Sequence, residues 1–123
     1  MARDDYDVIV YRILVYYYAC MKRKILFEDT TFQAAVRKDV KNDEYFADIL
    51  HMMKAEGLIE DVCFVKAWGG NCIIISNLED ARITPAGIRY LQENGKMQKI
   101  GEALKNSVDI ISKLAAIIGL FVE

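Results

Sequence analysis

One histidine, His51, and three cysteines, Cys20, Cys63 and Cys72, are the side chains here best suited to nucleophilic or metal chemistry. Their spacing does not serve it. Zinc sites draw on closely spaced Cys and His pairs, and these four are scattered along the chain. A Cys20–His51 nucleophile pair needs the two side chains within hydrogen-bond reach, but Cys20 falls on the apolar side of a helical pattern. No Gly-x-Ser-x-Gly turn occurs. Gly69-Gly70 could cradle a phosphate only if a helix followed; a strand-like run, Cys72 to Ser76, follows instead, so the glycines read as turn chemistry. The carboxylates lie on solvated helix faces. The expectation is no catalytic residue, no metal and no cofactor. With Gly69 and Gly70 at the turn, the hairpin register pairs Ala67 with Cys72 and Cys63 with Ser76. Cys63 and Cys72 then do not face each other, and all three cysteines are expected as free, buried thiols in a reducing cytosol.

Charge carries more information than chemistry. Residues 22–41 hold six bases (Lys22, Arg23, Lys24, Arg37, Lys38 and Lys41) against three acids. Residues 42–61 hold six acids against Lys54. The first block suits phosphates and the second repels them. Two readings stay open. In one, the chain binds duplex DNA through the basic cluster, helped by Lys66 and Trp68. In the other, it is a non-enzymatic protein–protein interaction module with no DNA binding.

The elements that must position these residues follow from pattern. At 123 residues, 54% hydrophobic and net charge −2, the chain suits one folded domain and excludes disorder and a histone-like basic binder. The start, Met-Ala-Arg-Asp-Asp, lacks a signal pattern, and the longest uncharged apolar stretch, Leu114 to Val122, is far short of the ~20 residues that span a bilayer; a cytoplasmic protein is expected. The first helix runs from about Asp5 to Met21, apolar on nearly every face, which makes it central. Tyr16, Tyr17 and Tyr18 read as core residues with hydroxyls reaching water. Ile25-Leu26-Phe27 reads as extended. Thr30 and Gln33 have capping-box spacing ahead of a short helix to about Lys38. Asn42 caps a third helix to Glu56, with Phe46, Ile49, Leu50 and Met53 inward and Glu44, Tyr45, Asp48, His51, Met52 and Ala55 outward. Gly57 stops it. Val62 to Ala67 and Cys72 to Ser76 form a hairpin with Trp68 at its tip. Thr84-Pro85 opens a helix to about Glu93, and a last helix starts near Met97. The fold class is α+β, mostly α: a winged helix-turn-helix over residues 1–95, with an added C-terminal helix over 96–123 in the same domain.

Three stretches, Tyr6-Asp-Val-Ile-Val-Tyr-Arg-Ile-Leu, Leu50 to Ile59 around Glu56-Gly57, and Ile83-Thr-Pro-Ala-Gly-Ile-Arg-Tyr-Leu-Gln-Glu-Asn94, resemble the YjcQ family, small bacterial and prophage-borne winged-helix proteins. The likeness covers about Tyr6 to Lys105. It implies the fold; fold analogy then puts the DNA-binding reading, a winged-helix transcriptional regulator or prophage-associated accessory protein, slightly ahead of the interaction module, which local charge favours. It transfers no catalytic residue.

The C-terminal pattern points to self-association. Leu104, Val108, Ile111, Ala115, Ile118 and Val122 form a heptad seam, widened by Ile110, Leu114, Ile117 and Phe121. Covering the first helix uses one stripe; a second left in water would be a larger patch than monomers tolerate. Each buried Leu or Ile contributes about 1.5–3 kcal/mol. A homodimer through Leu104, Val108, Ile111, Leu114, Ile118 and Phe121, with help from the first helix, is expected. A monomer that absorbs both stripes and a membrane surface are the alternatives; Lys105, Lys113, Asp109 and Glu102 nearly cancel, which disfavours the membrane. Sedimentation checks this. The chain should be dimeric at tens of micromolar and monomeric when Ile111→Asp and Ile118→Asp are combined; a monomeric wild type removes the dimer.

Overall fold

A computed structural model of the chain describes residues 5–37, 40–66, 72–74 and 78–105. The described elements are α1 (Tyr6–Met21), α2 (Asp29–Val36), α3 (Asp43–Ala55), β1 (Ile59–Glu60), β2 (Phe64–Lys66), β3 (Cys72–Ile74), β4 (Arg82–Ile83), α4 (Pro85–Glu93) and α5 (Gly95–Lys105). A 3-10 turn, Leu78–Asp80, precedes β4. The fold is mostly helical α+β, with a helix pair followed by a hairpin: the order of a winged helix-turn-helix.

α1 is the axis. Eleven of its sixteen residues are buried, including the consecutive run from Val8 to Tyr17, so no stripe is left for water. It packs against α2, α3, α4, α5 and β4. At its C-terminal half, aromatic rings interlock: Tyr16 meets Phe32 edge-on at 5.3 Å, Phe27 meets Phe32 at 5.2 Å, and Phe32 meets Phe46 at 6.1 Å. The Tyr16 and Tyr17 hydroxyls bond the main chain. Tyr17 donates to the Leu78 carbonyl at 2.8 Å, and Tyr16 both donates to the Glu28 carbonyl and accepts from its N–H.

That Tyr16 contact moves the start of α2. Glu28 is the N-cap and the helix begins at Asp29, so the Thr30–Gln33 capping box does not form; Gln33 reaches back to Asp29 instead. A tertiary anchor on Glu28 outweighs a local cap. At α1, Asp5 occupies the N-cap position without a side-chain hydrogen bond. At α3 the local signal prevails: Asn42 Oδ1 accepts from the Tyr45 N–H at 3.0 Å.

α1 and α3 end in the same motif. After α3, the Gly57 N–H bonds the Lys54 carbonyl and the Leu58 N–H bonds the Met53 carbonyl, with Gly57 at φ 75°. After α1, the Arg23 N–H bonds Cys20 and the Lys24 N–H bonds Ala19, with Arg23 at φ 62°. Both are Schellman ends, one with the expected glycine and one with arginine.

β1 pairs antiparallel with β4 (Ile59 with Ile83, Glu60 with Arg82), and β2 with β3 (Phe64 with Ile74, Val65 with Ile73, Lys66 with Cys72). The hairpin register is one residue off the expected one: Cys72 faces Lys66, not Ala67. Five residues rather than the expected four separate the paired ends Lys66 and Cys72, which shifts every pair by one. Asp61, at φ 65°, separates β1 from β2. Thr84 Oγ1 accepts from the Gly87 N–H at 2.9 Å with Pro85 at the first helical position, as the sequence suggests. Gly87 is a close approach: a Cβ there would strike the Leu58 carbonyl oxygen. Asn94 closes α4 in extended conformation, and its Oδ1 accepts from the N–H groups of Lys96 and Met97, so α5 starts at Gly95 rather than near Met97. Of the expected dimer seam, Leu104 falls on the last described turn of α5; Val108, Ile111, Leu114, Ile118 and Phe121 lie outside the described residues.

Thermal melts check the two helix ends. Gly57→Ala should lower stability by about 1 kcal/mol, roughly 4 °C or more in Tm, because a Cβ is strained at that φ. Arg23→Gly should leave Tm unchanged or raise it. Gly87→Ala should cost about 1–3 kcal/mol by overpacking.

Candidate binding surfaces of the helix pair and wing

α3 is held by Phe46, Ile49, Leu50 and Met53, all buried at helical spacing. The opposite face is open as expected: Glu44, Asp48, His51, Met52 and Ala55 are exposed and Tyr45 is half-buried. The wing leans on this face. The Phe64 ring meets His51 edge-on at 5.2 Å, and Lys54 Nζ lies 5.7 Å from its centroid. Val65, its neighbour on β2, points outward. The result is a continuous surface of acids and exposed apolar side chains, with Lys54 and His51 among them.

The basic residues are distributed over separate elements. Arg37, at the end of α2, donates through Nη2 to Asp43 Oδ1 at 2.7 Å, and its guanidinium stacks 4.5 Å from the Phe46 centroid. Its side chain is 17% exposed. It locks the turn between the two helices, joining the end of one to the acidic first turn of the next. Lys22, Arg23 and Lys24 are exposed on the turn after α1, with Lys22 Nζ 5.4 Å from the Tyr18 ring. Lys41 is exposed just ahead of α3, and Lys66 sits on β2. Lys38 and Trp68 lie outside the described residues.

Sequence reasoning did not find one feature. A cleft of about 390 Å³ opens between the end of α1, the segment Ile25–Phe27 and β4. Tyr17, Cys20, Ile25 and Phe27 line it with Arg23 and Arg82, and Leu26 stands at its rim, 81% exposed. The signal in the sequence is the short apolar run Ile25-Leu26-Phe27, which cannot turn all three side chains to one core.

The thiols differ. Cys20 is half-buried, and burial pushes its thiol up to about 11. Cys63 is exposed, not buried. Val62 points into the core, and in extended chain the next side chain points out. Among the described residues, no three His, Cys, Asp or Glu side chains converge to hold a metal ion. No described helix is long and apolar enough to cross a membrane.

The sequence profile of the YjcQ protein family matches residues 11–110. No curated protein and no solved structure matches the chain.

Because the thiolate is the nucleophile, iodoacetamide near pH 8 should modify Cys63 at least about tenfold faster than Cys20. Peptide mapping over time checks this; equal rates would mean that Cys20 is not shielded by α1 and the cleft wall.

Proposed function

The chain belongs to the YjcQ protein family, and from that premise we propose that it is a non-enzymatic, cytoplasmic winged-helix binding module whose working face is α3 with the wing and whose partner is a protein. The observation that carries this reading is the charge of α3. Reading of base edges is led by Arg, Asn and Gln, and phosphates flank every groove. The exposed face of α3 offers Glu44 and Asp48 and no arginine, and Arg37, the nearest one at the helix turn, is engaged by Asp43 and Phe46. A carboxylate about 4 Å from a phosphate is repelled by about 1 kcal/mol in water and about 4 kcal/mol at a partly desolvated interface. Tyr45, Met52, Phe64 and Val65 instead supply the aromatic and flexible apolar contacts that protein interfaces use. Acids around them select a partner with basic residues. A homodimer through the C-terminal seam would present two such faces on one particle.

A second reading has its own support. Lys22, Arg23 and Lys24 are exposed together, with Lys41 and Lys66 on other elements, and phosphate contacts alone can hold duplex DNA. In that reading the chain is a DNA-binding regulator or prophage-associated accessory protein that does not use α3 as the reader.

Anisotropy of a labelled random duplex across a salt series separates them. Under the protein-partner reading, binding is absent at low salt. A steep loss of affinity with salt, abolished by Lys22→Ala, Arg23→Ala and Lys24→Ala together, would replace it with the DNA reading.

A further inference from the structure

The cleft at the end of α1 includes a residue whose backbone is strained. We infer that the cleft binds a small, uncharged molecule with an apolar body and one hydrogen-bond acceptor, held by Arg23. Arg23 stands at φ 62° where α1 ends, in the left-handed region that favours glycine. The corresponding position after α3 is Gly57, at φ 75°. Residues other than glycine that persist in this region cluster at ligand clamps and active sites. Arg23 lines the cleft, and among the described residues no ion pair or hydrogen bond engages its guanidinium. A guanidinium offers five N–H donors and no acceptor, so the group it selects is an acceptor oxygen.

The walls set the size and the body of the ligand. The cleft encloses about 390 Å³, near the lower end of the range for small-molecule pockets, which suits one or two rings. The Tyr17 and Phe27 rings lie nearly parallel, 13° apart with centroids 6.0 Å from each other, and both line it with Ile25 and Ile83. Cys20 adds a wall whose thiol, pushed up to about 11 by burial, stays protonated and uncharged near pH 7. Met21 and Leu26 leave apolar surface open at the mouth, and an apolar ligand removes it from water.

Charge restricts the ligand to a neutral one. Arg23 and Arg82 line the cleft together with Glu60 and Glu79, two of each sign, and Glu60 stands across from Arg82 in the ladder. With no net charge in the cleft to offset desolvation, an ion of either sign is disfavoured on entry. A carbonyl oxygen on an apolar body meets the Arg23 donors without that penalty. The cleft shares no residue with the α3–wing face and does not depend on the partner proposed for it.

The probe is 6-propionyl-2-dimethylaminonaphthalene, a neutral fused ring pair with one ketone, whose emission moves to the blue in apolar surroundings. Titrated into the full chain, it should saturate with a Kd below about 100 μM. In the ¹⁵N-labelled chain its amide shifts should concentrate at Cys20–Phe27 and Ala81–Ile83. Arg23→Gly and Leu26→Ser, both at exposed positions, should melt no lower than the wild type and should each weaken binding by about tenfold. Naphthalene-2-sulfonate and 2-naphthylmethylammonium should each bind more weakly than the ketone. Absence of saturable binding, unchanged binding by either variant, tighter binding of either ion, or shifts centred on α3 and β2 would each overturn the proposal. The first three outcomes leave the α3–wing reading untouched.

Discussion

A sixteen-residue helix without a polar stripe cannot face water on any side, and the placement of the other elements follows from that constraint. α2 and α3 close one end around Phe32 and Phe46, α4 and α5 cover the flank, and β4 lies along the remainder. Each cover is thin, a single helix or a two-residue strand. Among the described residues the core is therefore one continuous cluster running from Tyr6 to Ile100, and the large aromatic side chains where α1 meets α2 and α3 join much of it.

Such inward demand shapes the exterior. With the large apolar residues drawn to α1, the described surface keeps few exposed ones: Met21, Leu26, Met52 and Val65. They fall at two places, the end of α1 beside β4 and the α3–wing face. Both places also gather charge, acidic on α3 and basic on the turn after α1. The winged-helix order thus carries an electrostatic pattern opposite to the one that groove reading needs at its third helix.

Much of this was legible in the residues themselves. Asn42, Gly57 and Thr84-Pro85 act within a few residues of their own position, so their caps and stops follow from local chemistry. The inward and outward faces of α3 likewise follow from helical spacing. What was not legible depends on distant partners. The Thr30 box yields to Tyr16, which anchors Glu28 from the preceding helix. Arg37 reads as one cation in a basic run, and its bond to Asp43 exists only because the turn folds it back. The hairpin register depends on how many residues the connection takes, which alternation cannot count. The cleft joins two stretches far apart in the chain and leaves no local mark beyond Leu26.

Asn94 is the terminus of one helix and the cap of the next. No slack separates α4 from α5, so the crossing of the two rods is determined at one amide side chain. Natural length variation should then avoid this joint and collect elsewhere. An inserted residue here would rotate the whole of α5 by about 100°, withdrawing Met97 and Ile100 from α1 in a single step.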